Sequence, residues 1–89
     1  MDYKQKLEYQ SNYWYNDGLK KAQIRDLSGA IVSLKRSLQF NRENITARNL
    51  LGLVYYGRGE VAEALVEWII SKNSVSYTHL RAHETELHL

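Results

Sequence analysis

Shifted by 34 residues, the chain falls on itself: Gly18 on Gly52, Leu19 on Leu53, Ala30 on Ala64 and Ser37 on Ser71. The same shift sets Asp26 against Glu60, Leu27 against Val61, Ile31 against Leu65 and Leu34 against Trp68. A fixed period constrains the fold more than composition does. It marks a unit that buries its apolar face only against a copy of itself.

Helical spacing fills that unit. Ala47, Leu50, Leu51, Val54 and Tyr55 fall at i, i+3, i+4, i+7, i+8, and Val61, Ala64, Leu65, Trp68 and Ile69 repeat the pattern. Each series makes one apolar stripe on a helix. Gly57-Arg58-Gly59 joins the two, with Gly59 free to take the positive φ a sharp turn needs. Upstream, Asp26 stands as an N-cap before Leu27, Ala30, Ile31, Leu34 and Leu38, which share one face of a helix ending near Phe40. Asn44 caps the helix over Ile45 to Gly57, and the last helix is expected from about Glu60 to Lys72. Residues 3 to 23 form a first helix rich in aromatics (Tyr3, Tyr9, Tyr13, Trp14, Tyr15), whose apolar periodicity is weak and is interrupted at Asp17 and Gly18. Short loops between amphipathic helices give antiparallel neighbours, so the class is all-α.

A 34-residue helix-turn-helix unit resembles the tetratricopeptide repeat family. The second unit supplies Leu51-Gly52, Tyr55, Ala64 and Trp68 at the family spacing, with Arg48 where Trp is usual. The first supplies Trp14, Gly18 and Ala30, with Leu34 in the aromatic slot and Asp17 and Lys21 where Leu and Tyr are expected. The terminal Pro is missing from both, since the chain has none. The resemblance implies an α-α superhelix in which residues 1–10 extend the first helix, 11–44 form one unit and 45–74 a second. Trp14, Gly18, Ala30, Leu34, Leu51, Gly52, Tyr55, Ala64 and Trp68 are then packing residues. Gly52 and Ala64 are expected where the helices of a hairpin approach, Tyr55 and Trp68 in the groove between hairpins.

The remainder of the chain is different in character. All three histidines, His79, His83 and His88, lie in VSYTHLRAHETELHL. His83-Glu84 suggests a zinc-protease helix, but the next histidine falls one residue too far along for that motif. Val75 to Thr85 resembles one reading frame of a transposon-end adapter used in preparing sequencing libraries. Residues 75–89 are therefore read as a non-native tail, and the natural array is expected to continue beyond Asn73. Val66, Ile69 and Ile70 are then expected to lack a covering hairpin, unless Tyr77, Leu80, Leu87 and Leu89 supply a fifth helix.

Composition narrows the function. Eighty-nine residues make one small domain, and the absence of cysteine excludes disulfides and thiolate sites. The start of the chain has no apolar signal segment, and no run nears the roughly 20 apolar residues of a membrane span. A net charge of +2, mixed in sign, gives little purchase on nucleic acid. The basic groups Lys20-Lys21-Arg25 and Lys35-Arg36-Arg42 have no interleaved aromatic platform, and Asn44-Ile45-Thr46 reads as a helix cap before a glycosylation site. Outside the tail there is neither histidine nor cysteine, and Asp17, Asp26, Glu43, Glu60, Glu63 and Glu67 do not converge, so no enzyme, metal or cofactor is expected.

What the resemblance implies is a cytoplasmic scaffold module gripping a protein or peptide on the concave face lined by each unit's first helix. Tyr15, Leu19 and Ala22 then face Asn49, Leu53 and Tyr56, either as contacts or simply as helix packing. Tyrosine offers aromatic area with a polar handle, and asparagine an amide for a peptide backbone. Two other roles stay open: an N-terminal adaptor of a larger regulatory or catalytic protein, and an oligomerisation module acting through the open C-terminal face.

Overall fold

The computed structural model describes the backbone of residues 2–79 and the side-chain surroundings of residues 2–73. Four helices fill it: α1 (Tyr3–Gln23), α2 (Leu27–Phe40), α3 (Ile45–Gly57) and α4 (Val61–His79). They are all-α and form two helical hairpins, α1 on α2 and α3 on α4, with α2 packed against α3 and a lighter contact between α1 and α3.

Local chemistry sets the boundaries. Asp2 and Gln5 form a capping box on α1, each side chain bonded to the other's backbone N–H. Asp26 accepts from the Gly29 N–H at 3.0 Å and Asn44 from the Ala47 N–H at 3.0 Å, as the sequence leads one to expect. The hairpin turns repeat as well. Arg25 N–H reaches the Ala22 carbonyl and Asp26 N–H the Lys21 carbonyl; 34 residues on, Gly59 N–H reaches Tyr56 and Glu60 N–H reaches Tyr55. Both are Schellman motifs, whose turning residue takes a left-handed backbone. Gly59 does so freely at φ 87°, whereas Arg25 does so at φ 68° with a side chain, at about 1–2 kcal/mol.

The core runs through both hairpins: Ala30, Ile31, Leu34 and Leu38 from α2, Ala47, Leu51, Val54 and Tyr55 from α3, and Ala64 from α4. A β-carbon on Gly18 would stand 2.7 Å from Leu34 Cγ, and one on Gly52 would stand 2.7 Å from Trp68 Cδ1. Small residue against large side chain recurs at the 34-residue offset, and it sets the approach of the helices in each hairpin. Between the hairpins, the Lys35 ammonium sits 5.9 Å from the centre of the Tyr55 ring. Trp14 is half-buried under Arg36, whose guanidinium carbon lies 4.7 Å from the ring centre, and Tyr13 meets it edge-on.

The expected first helix over residues 3–23 is present and carries Asp17 and Gly18 within it; the expectations for Trp68 and for the end of the last helix are corrected. Gly18 is buried against α2, while Asp17 pairs with Lys21 at 2.8 Å and accepts from the Ser33 hydroxyl at 2.6 Å. Lys21 in turn donates to Ser33 at 3.1 Å, so the polar pair standing where the second unit has Leu51 and Tyr55 is satisfied across the hairpin. Trp68 does not fill the groove between hairpins. It lies across Gly52 within its own, its indole N–H directed at the Asn49 carbonyl at 3.5 Å. The last helix continues past Lys72 to His79. Its apolar stripe is only partly used: Ala64 is buried and Trp68 half-buried, but Val61, Leu65 and Ile69 are exposed, with Val66 and Ile70 beside them. The suggested fifth helix, and His83 and His88, lie outside the described residues.

Candidate functional site

A cleft of about 260 Å³ opens between the end of α1 and the outer face of α3. It is lined by Ala22 of α1, Arg25 of the following turn, Leu27 of α2, and Leu50, Leu53, Val54, Tyr56 and Gly57 of α3. Leu53 and Tyr56 are 58% and 56% exposed although they sit on a helix whose other face is core. Helical periodicity explains the pair. Positions 53 and 56 are i, i+3 on the face turned away from Leu51, Val54 and Tyr55, so they project together.

Tyr56 is also steadied from behind. Its ring lies 6.0 Å from that of Trp68, tilted by 39°, and Trp68 is in turn seated on Gly52. Contacts therefore run from Gly52 through Trp68 to Tyr56. The turn after α1 likewise fixes Arg25, whose backbone is held by the two Schellman hydrogen bonds. Among the described residues Arg25 enters no ion pair, in contrast to Arg58, which meets Glu60 at 3.0 Å.

The expected contact residues separate in space. Leu53 and Tyr56, together with Ala22, line the cleft. Leu19 is half-buried on α1, and Tyr15 is half-buried and packed against the core. Asn49 is exposed, but its amide oxygen accepts the Ser71 hydroxyl at 2.6 Å, which ties it to α4. Arg25 and Leu50, both cleft residues, were not singled out as contacts from sequence. The missed signal for Arg25 is the offset itself, which places it on Gly59.

Two further hollows are more polar. One, about 360 Å³, is bounded by Arg42, Glu43, Arg48 and Ile70, but the Arg48 guanidinium is already engaged by Glu67 at 2.8 Å and by the Arg42 carbonyl. The other lies over Tyr13, Asn16, Asp17 and Lys20. Here the Lys21 ammonium and the Ser33 hydroxyl, both bonded to Asp17, hold its carboxyl below the ordinary value of 3.8. Among the described residues no cluster of His, Asp or Glu could hold a metal ion, and no helix is long and apolar enough to cross a membrane.

Compared with known proteins, the chain matches no family model and no solved structure. It is similar to a BBSome complex member, bbs-4, of Caenorhabditis elegans, with 42% identity over 45 residues. The match covers 51% of this chain and 10% of that protein, so the chain spans a small fraction of the length of the curated relative it matches.

Proposed function

We propose that the two hairpins are a tetratricopeptide-like protein-interaction module, which holds a peptide or helix from a partner protein in the cleft between α1 and α3. The observation that carries this reading is the joint exposure of Leu53 and Tyr56 on the cleft wall, with Tyr56 backed by Trp68. Large apolar and aromatic groups held in place beside a concave surface are the usual anchors of peptide recognition. Similarity to a BBSome complex member fits a protein-binding role. The same module is compatible with service as the adaptor of a larger protein.

Selection of a random dodecapeptide library on the chain tests the proposal. Enriched peptides should lose binding to Leu53→Ser and Tyr56→Ala variants whose helical circular dichroism is unchanged. Peptides that bind both variants as well as the unaltered chain would place recognition elsewhere.

A second reading is favoured by α4. In the first unit, Leu27, Ile31 and Leu38 lie on the α2 stripe that is turned into the molecule; 34 residues on, Val61 and Leu65 are 47% and 50% exposed. A helix face equivalent to a covered one invites a second copy of the chain. Sedimentation equilibrium should then show reversible dimers that Leu65→Glu abolishes, and a monomer at high concentration would remove this reading.

A further inference from the structure

The geometry points to an acidic partner: we infer that Arg25 reads a carboxylate placed next to the apolar anchor that enters the cleft. This deepens the proposed function and rests on it. Three observations converge on Arg25. It occupies the left-handed turn position that its repeat counterpart fills with Gly59, so the chain retains a side chain where a glycine is easier to accommodate. Backbone strain kept at a surface position is a mark of a residue used for something other than folding. The same residue borders the apolar cleft, together with Leu50, Leu53 and Tyr56. It is exposed, and among the described residues it has no ion-pair partner.

The charges around the cleft agree. Arg25 is the charged residue of its lining, whose other named walls are apolar or aromatic. Asp26, the adjacent carboxylate, is occupied as the α2 cap, its Oδ1 accepting from Gly29. Arg58, which follows the lining residue Gly57, is paired with Glu60 at 3.0 Å. An incoming Leu, Ile, Phe or Trp therefore meets Leu53 and Tyr56, while a neighbouring Asp or Glu meets a guanidinium able to bind it through two N–H groups. A basic neighbour is repelled by Arg25 itself, which gives discrimination as well as attachment.

The test runs the dodecapeptide selection in parallel on the unaltered chain, Arg25→Gln and Leu53→Ser. On the unaltered chain, enriched peptides should carry Asp or Glu beside a large apolar residue, and on Arg25→Gln the acidic preference should vanish. Synthetic versions should bind Arg25→Gln about two- to fivefold more weakly at low salt, the range of an exposed ion pair, with the difference closing as salt rises. Arg25→Lys should retain most of the preference. Peptides that need Leu53 but show no acidic bias, or bind Arg25→Gln equally, overturn the role of Arg25 and leave the cleft intact. Peptides indifferent to Leu53, or no enrichment at all, overturn the cleft and this inference together.

Discussion

Arg48 donates to Glu67 across the second hairpin at 2.8 Å, with both side chains about 15% exposed. Arginine at this position departs from the repeat resemblance, in which an aromatic is usual, and the ion pair is the reason it is tolerated. Two desolvated charges are held only while both are present.

Removing one partner should therefore cost more than a surface ion pair. Arg48→Ala is expected to destabilise the chain by about 2 kcal/mol, the scale of a charged hydrogen bond lost from a shielded site. Arg48→Ala with Glu67→Ala should cost less than the sum of the single changes. Urea unfolding of the four proteins in a double-mutant cycle measures the coupling. Strict additivity would show that the pair does nothing for stability.

The glycines of the two hairpins should respond unequally to a methyl group. At Gly18 the new carbon meets Leu34, fully buried, and the Ala30 carbonyl at 3.3 Å; at Gly52 it meets the half-buried Trp68. Alanine gains about 1 kcal/mol of helix propensity at either site, set against about 1–3 kcal/mol of overpacking. Gly18→Ala should be the more destabilising, because Leu34 has nowhere to move. Gly52→Ala should push the indole toward solvent, seen as a red shift in fluorescence in a Trp14→Phe background. Equal melting temperatures for the two variants would argue against the close approach at Gly18.

Asn44 has two jobs that substitution can separate. Its Oδ1 caps α3, while its Nδ2 donates to Ser11 Oγ at 2.8 Å, next to a Ser37 hydroxyl that donates to the Ser11 carbonyl at 2.7 Å. Serine keeps the cap but does not span to α1. Asn44→Ser should lose only the tie between elements, and Asn44→Ala should lose about 1 kcal/mol more, the usual worth of a cap. Thermal unfolding of both variants makes the comparison, and identical losses would deny Asn44 its capping role.

The first unit should show an acid dependence that the Asp17 carboxylate causes. Its pKa is lowered in the folded chain, chiefly by hydrogen bonds from Lys21 and Ser33. A depressed folded pKa adds stability that is complete above the unfolded value, near 3.8, and disappears as pH falls through the lower folded value. The stability gap between the unaltered chain and Asp17→Asn should accordingly be constant at neutral pH and shrink below about pH 4. Because the group is partly exposed, the gap itself should be modest. A gap independent of pH down to full protonation would contradict the pairing.

Much of the fold was legible because its signals are local or periodic. Asp26 and Asn44 cap the helices they precede, Gly59 takes the positive φ, and the stripes from Leu27 to Leu38 and Ala47 to Tyr55 are largely buried. What escaped depends on contacts distant in sequence. The interrupted apolar pattern at Asp17 and Gly18 carries no local sign of what the two residues meet, which is Ser33 for Asp17 and Leu34 for Gly18 across the hairpin. Ser37 and Ser71 recur at the 34-residue offset and Ser11 and Ser33 do not, but none of the four announces that its buried hydroxyl finds a partner on another helix. Leu53 and Tyr56 could be placed on one face from spacing alone, but Arg25 enters the cleft only because a turn brings it there. Its offset from Gly59 held the clue.

The most direct test of the account is to record the backbone amide spectrum of the isotope-labelled chain while titrating a library-selected peptide. The account predicts shift changes centred on Ala22, Arg25, Leu50, Leu53 and Tyr56, with Leu65 and Ile69 on α4 unmoved. Changes centred on Leu65 and Ile69, or none at saturating peptide, would contradict it.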